Sequence, residues 1–174
     1  MTHKSILLVD DDANFAELTK ACLLHGEGVA NEVVIARDGV EAVEDLFHPG
    51  RAAPEGMPAL VLLDLNMPRM DGFWVLRKMR AAESTRFIPV VIMTSSVDPE
   101  DLRMAYTLGA NGYLDKLSDG MPWDELVRTV ARYWLEINIT PSSLAGGEEN
   151  GFVRSPGRTL GALPKTYYKD EKED

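Results

Sequence analysis

Four short runs of consecutive apolar residues set the strongest limit on what this chain can fold into: 6–9 (Ile6-Leu7-Leu8-Val9), 33–36, 60–63 and 90–93 (Val90-Val91-Ile92-Met93). A strand with one wet face alternates apolar with polar, and these runs do not, so each is expected to be a strand covered on both faces, as in a parallel sheet. Helical spacing separates them: Phe15, Leu18 and Cys22, then Val43, Leu46 and Phe47, then Val75, Leu76 and Met79. A shorter fifth strand is expected at 112–114, after a helix from about Pro99 to Leu108 that stops at Gly109. A final helix opens at Pro122, suited to a first helical position, and runs to about Ile137. The order predicts an α/β fold, a doubly wound (βα)5 parallel sheet. In such sheets ligands bind outside the strands' carboxyl ends, near the point where strand order reverses.

Side chains with one shared chemistry fall at those ends. The acidic run Asp10-Asp11-Asp12 follows the first strand, Asp64 ends the third in Leu63-Asp64-Leu65-Asn66-Met67-Pro68, Thr94 ends the fourth, and Lys116 ends the fifth in Tyr113-Leu114-Asp115-Lys116. Crowded carboxylates repel one another, and a divalent cation with oxygen ligands relieves the repulsion. Mg2+ suits the pattern, because it takes few protein carboxylates and leaves positions for water and phosphate oxygens; Asp10 and Asp11 would supply direct or water-mediated ligands. Asp12 is better placed to cap the helix starting near Ala13. Asp64, with Pro68 stiffening its loop, can act as a covalent nucleophile toward phosphorus. Phosphoryl transfer then needs in-line positioning and neutralised equatorial oxygens, for which the metal, the Thr94 hydroxyl and the Lys116 ammonium suffice. Taken singly, an Asp after a strand is a turn or cap, a Thr in a β-branched strand is packing and a Lys is a solvated charge. Their joint occurrence at separate strand ends favours the site.

The formal net charge of −10 argues against a phosphate-backbone binder, no basic stripe is visible, and 138–174 has no helix-turn-helix pattern or basic patch, so no nucleic-acid partner is expected. The lone Cys22 reads as a small buried hydrophobe and excludes disulfides, in keeping with a reducing cytoplasm. No run resembles a signal peptide or is long enough to cross a membrane. Two longer connections, 25–31 and 48–58, read as surface loops by their turn residues. Beyond residue 137 the pattern gives way to scattered Pro and Gly and a charged end, so 138–174 is expected to be an arm or disordered tail without an output domain.

The motifs Ile6-Leu7-Leu8-Val9-Asp10-Asp11, Ala36-Arg37-Asp38-Gly39, Leu62-Leu63-Asp64-Leu65-Asn66-Met67-Pro68-Arg69-Met70-Asp71-Gly72, Met93-Thr94 and 109–116 together resemble the receiver domain of two-component response regulators over residues 4–137. The resemblance implies a flavodoxin-like fold, with 1–137 as the receiver domain, and a histidine kinase whose phosphohistidine donates its phosphoryl group to Asp64. It implies that Asp10, Asp11, Asp64 and the Asn66 backbone carbonyl hold Mg2+, and that Thr94 and Tyr113 rearrange on phosphorylation. The 36–47 segment, the long loop before Leu60 and the ending Tyr133-Trp134-Leu135-Glu136 are similar to the single-domain regulators paired with bacterial phytochromes. One departure bears on Lys116: the family usually has a cis-linked Pro after the Lys, and Leu117 stands here. A non-proline cis bond costs about 2.5–4 kcal/mol, so a trans bond is expected. Ser95, where the family often has Ala, makes the site slightly more polar.

Two other functions stay open. A haloacid-dehalogenase-type phosphatase also uses Asp, Mg2+, Thr or Ser and Lys, but needs a second carboxylate two residues after the nucleophile, and Asn66 stands there; a phosphoacceptor with slow dephosphorylation, not a turnover enzyme, fits better. A pseudo-receiver, a binding scaffold never phosphorylated, is favoured only by Leu117. Along the final helix, Trp123, Leu126, Val127, Val130, Tyr133, Trp134, Leu135 and Ile137 span more than the roughly 100° that packing on one sheet requires. The excess is expected to cover the chain's own tail or form a homodimer face. The resemblance favours the surface of the fourth helix, fifth strand and fifth helix, with Tyr133 and Trp134 near the interface.

Overall fold

The computed structural model describes residues 4–24, 30, 32–49 and 56–141. Parts of both longer connections and the segment 142–174, on which the expectation of an arm or tail rests, lie outside the described residues. The four apolar runs are the strands β1 (Ser5–Val9), β2 (Glu32–Ala36), β3 (Leu60–Leu63) and β4 (Val90–Thr94), and Gly112–Asp115 is β5. All pair in parallel, in the order β2-β1-β3-β4-β5. Each strand is followed by a helix: α1 (Ala13–Leu24), α2 (Gly39–Leu46), α3 (Gly72–Ala81), α4 (Pro99–Thr107) and α5 (Trp123–Arg132).

The runs lack polar alternation because both faces of the sheet are covered, and the period-two geometry of the strands deals their residues to two cores. Leu7, Val9, Val61, Leu63, Val90 and Ile92 face a core closed by α2, α3 and α4. Ile6, Leu8, Leu60, Leu62, Val91 and Met93 face the other, closed by α1 and α5.

The helical spacing located the helices better than their buried stripes. In α1 the buried residues are Ala16, Thr19 and Leu23, one position on from the expected Phe15, Leu18 and Cys22; Leu18 is 55% exposed, Phe15 and Cys22 half-buried. Small Ala16 and Thr19 let the helix lie close to the sheet, and the Thr19 hydroxyl, which would be costly to bury alone, accepts a hydrogen bond from the Trp123 indole N–H at 3.0 Å. In α2 the buried residues are Gly39, Ala42 and Leu46, while the expected Val43 is half-buried and Phe47 caps the helix and is exposed. Val75, Leu76 and Met79 of α3 are buried as expected. Pro122 is the cap residue of α5, with φ −54° and ψ 139°, rather than its first helical residue. The final helix does reach Ile137, but its end, Tyr133–Ile137, is a π-helical turn in which Asn138 N–H donates to the Tyr133 carbonyl at 2.7 Å.

The chain passes from β1 to β2, then back across β1 to β3, so strand order reverses between β1 and β3. Val9 and Leu63 are register partners there, and Asp64 N–H donates to the Val9 carbonyl at 2.9 Å. Asp10 and Asp64, the next residues, therefore emerge side by side at the switch point. Gly72 opens α3 against the backbone of Asp64: a β-carbon at position 72 would overlap the Asp64 carbonyl oxygen and lie 2.9 Å from Leu65 Cα. Gly72→Ala is expected to cost about 1–3 kcal/mol of stability by overpacking. The urea midpoint checks this, and because the displaced backbone carries Asp64, divalent-cation affinity should fall with it.

Candidate functional site

Asp10 has no exposed surface, Asp64 is 6% exposed and Asp11 is open to solvent. A carboxylate oxygen from each lies within 4.8 Å of the others. The loop backbones orient the two buried carboxylates: Asp10 Oδ1 accepts from Asp12 N–H at 3.0 Å and Asp64 Oδ1 from Asn66 N–H at 3.2 Å. Their remaining oxygens meet one cation. Lys116 Nζ donates to Asp10 Oδ2 and to Asp64 Oδ2, each at 2.7 Å, with the Lys116 side chain 11% exposed.

Burial pushes the Asp10 carboxyl above its ordinary pKa, against the lowering effect of Lys116. Burial also pulls on Lys116 in the direction of neutrality, but the hydrogen bonds and charges of Asp10 and Asp64 more than offset it, and its pKa is raised. Lys116 is thus held as an ammonium. The Lys116–Leu117 bond is trans, since no peptide bond among the described residues is cis. The ammonium nonetheless reaches both carboxylates: Lys116 N–H donates to the Thr94 carbonyl at 2.9 Å, and Leu117 N–H donates to Asp115 Oδ1 at 2.8 Å.

Thr94 is fully buried, and its Oγ1 accepts from Ser96 N–H at 3.2 Å and lies 3.5 Å from the Asn66 side-chain amide. The Thr94 hydroxyl hydrogen remains available to an acceptor in the pocket. Tyr113, half-buried on β5, donates its hydroxyl to the Ser96 carbonyl at 3.0 Å. Burial raises the Tyr113 pKa, keeping the phenol neutral as a donor. Asp12 caps α1, its Oδ1 accepting from Asn14 and Phe15 N–H. The loop after Asp64 turns through Arg69, whose φ of 67° lies in the left-handed region, and the Arg69 guanidinium pairs with buried Asp38, the cap of α2.

The structure brings Asp10, Asp11, Asp64, Asn66, Thr94 and Lys116 together, with Tyr113 joined through Ser96. Tyr133 and Trp134 lie elsewhere. Trp134 packs half-buried against the α1–α5 core and lines a cavity of about 230 Å3 with Arg80, Pro89 and Asn111, at the amino ends of β4 and β5. Its edge meets the 47% exposed Tyr133 ring at 5.1 Å. Sequence reasoning missed Ser96 and Phe15. Ser96 follows Thr94 by two residues, and Phe15 lies in the first turn of a helix starting at the site, which is the signal that could have found it.

The family model of the response regulator receiver domain matches residues 6–129. The chain belongs to that family. Response regulator Rcp1 of Synechocystis is 33% identical over 140 residues, covering 80% of this chain and 95% of that protein. The crystal structure of the phosphorylated cyanobacterial phytochrome response regulator RcpA is similar at 32% identity with a TM-score of 0.71, covering 80% of this chain and 99% of the other. The Mn2+-bound form of Rcp1 matches with a TM-score of 0.69 at 33% identity, over 79% of this chain and 99% of that one. This is therefore the flavodoxin-like receiver domain of a two-component response regulator, related to the phytochrome response regulators. Among the described residues, no helix is long and apolar enough to cross a membrane.

Three carboxylates offering one oxygen each, with no nitrogen or sulfur donor among them, are the donor chemistry of a hard divalent cation such as Mg2+, with water and phosphate oxygens completing the shell. Without Lys116, the two buried carboxylates lose the one cation bonded to them. Lys116→Met should lower stability in EDTA by about 3 kcal/mol, the scale for breaking a buried ion pair. Added Mg2+ should recover more stability in this variant than in the wild type. Urea unfolding with and without Mg2+ measures both effects.

Proposed function

We propose that this receiver domain accepts a phosphoryl group on Asp64 from the phosphohistidine of a histidine kinase and signals by protein contact. The observation that carries the reading is the Asp64 carboxylate at the strand-order switch point, bonded to Lys116 and within reach of the Asp10 and Asp11 carboxylates. An Asp64 oxygen attacks the phosphorus, an O–P bond forms, and the P–N bond breaks with its electron pair passing to the donor imidazole. Lys116 then pairs with a phosphoryl oxygen in place of the carboxylate oxygen it holds here. The Thr94 hydroxyl donates to a second oxygen and draws the Ser96 loop and Tyr113 with it. Bound Mg2+, held by Asp10, Asp11, Asp64 and the Asn66 backbone carbonyl, would neutralise charge on the remaining phosphoryl oxygen.

Asn66 offers no carboxylate to activate water, which supports a slowly dephosphorylating acceptor over a phosphatase. The ammonium's contacts with both carboxylates, made with Leu117 in place of a proline, support a phosphoacceptor over a scaffold that is never phosphorylated. The kinship with phytochrome response regulators supports a phytochrome-type kinase as donor, in the cytoplasm, where a lone thiol is stable. Residues 1–137 would be the receiver domain and 138–174 an arm; the net charge of −10 speaks against DNA as target. Asp64→Asn should abolish labelling by acetyl phosphate or phosphorylated kinase, and excess EDTA should abolish it in the wild type. Label retained at an unchanged rate in the variant rejects Asp64, and label indifferent to EDTA rejects the metal.

We also propose a homodimer on the face formed by α4, β5 and α5. Leu102 and Tyr106 of α4 and Tyr133 and Ile137 of the turn that extends α5 are each at least 40% exposed, and soluble oligomers are most often two-fold symmetric. Since Trp134 packs inward, Tyr133 and Ile137 are the cleaner probes. Sedimentation at micromolar concentration should give a dimer that Tyr133→Glu with Ile137→Glu dissociates; a monomer with and without beryllofluoride rejects the proposal.

A further inference from the structure

The Lys116 ammonium has two different neighbours. It bonds the Asp10 and Asp64 carboxylates, and it also lies over the ring of Phe15, whose centroid is 4.5 Å from Nζ. Phe15 is not there merely to fill the first turn of α1. Its ring packs tilted at 50° against the Trp123 indole, centroids 4.7 Å apart, and Trp123 is in turn tied to buried Thr19 through its indole N–H. A stack drawn from the start of α1 and the start of α5 therefore ends on the cation of the site.

Lysine carries its charge on a flexible four-carbon stem, and its position depends on what surrounds the ammonium. The hydrogen bonds of Lys116 N–H and Leu117 N–H fix the backbone there and leave the four-carbon stem to be held by what the ammonium meets. Two carboxylate acceptors hold the ammonium by hydrogen bonds. An aromatic face beside them attracts the cation and excludes water, which sharpens the same electrostatic contacts.

We propose that Phe15 is a positioning residue: it holds the Lys116 ammonium at the mouth of the acidic pocket and passes the ammonium's displacement, through Trp123, to the start of α5. The inference rests on Asp64 being the phosphoacceptor. Lys116 now bonds Asp64 Oδ2 at 2.7 Å, so a tetrahedral phosphoryl group built on that carboxylate must displace the ammonium and change its contact with the ring. Phe15 cannot yield without disturbing its contact with Trp123. This line runs on the α1–α5 side of the sheet, whereas the Thr94–Ser96–Tyr113 line runs on the α4 side, where Tyr113 packs against the other core. One chemical event at the sheet edge would thus be felt on both layers of helices.

The test uses the full chain with Trp74→Phe and Trp134→Phe, leaving Trp123 as the sole indole, titrated with beryllofluoride and Mg2+. Bound fluoride is followed by 19F NMR and Trp123 by its emission. The expected result is an emission change that saturates together with the bound-fluoride signal. Phe15→Leu should weaken beryllofluoride binding about three- to tenfold and remove most of the emission change, and Phe15→Tyr, which keeps an aromatic face, should restore both. Thr19→Val, which spares Phe15 and Lys116, should keep the affinity and alter the emission change, so the relay is tested even if Phe15→Leu folds poorly. Unchanged affinity and emission in Phe15→Leu, or Phe15→Tyr no better than Phe15→Leu, overturns the inference while the phosphoacceptor reading stands. No bound fluoride in the wild type overturns that reading and this inference with it.

Discussion

One ammonium shared by two buried carboxylates is the contact around which this site is arranged. Lys116 lies 2.7 Å from oxygens of both Asp10 and Asp64, with almost no exposed surface on any of the three side chains. Removing charges from water is costly, and attraction in a poorly solvated pocket offsets that cost only when geometry is good and the remaining lone pairs are bonded. Both conditions hold, since the second oxygens of Asp10 and Asp64 accept backbone N–H groups of their own loops. The balance is still incomplete. Three carboxylates meet one ammonium, and desolvation raises the Asp10 pKa against the pull of Lys116.

The topology puts that shortage in one place. Parallel strands need crossovers, and reversal of strand order between β1 and β3 opens a crevice where no helix bridges their carboxyl ends. Register pairs Val9 with Leu63, so the residues that follow must emerge together. The surrounding loops are clamped rather than free. Gly72 brings α3 onto the Asp64 backbone, and Gly39 and the Asp38–Arg69 pair fasten the start of α2 to the loop after Asp64. An acidic pocket that would repel itself open is held shut by packing that is mostly apolar and lies behind it.

Much of this was legible in the sequence because continuous apolar runs allow few arrangements. Both-face burial followed from the missing alternation in 6–9 and 60–63, and the site followed from acids, a hydroxyl and an amine at strand ends. What stayed hidden depended on contacts between elements distant in sequence. The buried stripe of α1 moved by one residue because Trp123, more than a hundred positions away, supplies the hydrogen bond that lets Thr19 be buried. Phe15 looked like core because helical spacing cannot distinguish a ring facing a sheet from one facing a lysine. Trp134 looked like surface, yet the π-helical turn directs it over the amino ends of β4 and β5. Leu117 raised the question of where Lys116 would point, and a cross-strand hydrogen bond to the Thr94 carbonyl with a local one to Asp115 answered it without a proline.

The charge inventory connects the resting site to a switch. The Asp10, Asp11 and Asp64 carboxylates against one ammonium leave two formal negative charges, the complement of one divalent cation. A phosphoryl group on an oxygen carries about 1.5 to 2 negative charges near neutral pH, whereas the carboxylate it consumes carried one. The site therefore becomes more negative on modification, while its fixed cations stay the same. Only donors that can move relieve the excess, and Thr94 is the nearest: its hydroxyl hydrogen is uncommitted, and its oxygen accepts from the Ser96 backbone. Any motion of Thr94 into the pocket takes Ser96 along, and Ser96 holds Tyr113 through its carbonyl. On the proposed phosphorylation of Asp64, conformational change would thus follow from a deficit of positive charge met by the neutral Thr94 hydroxyl, the polar end of an otherwise apolar strand.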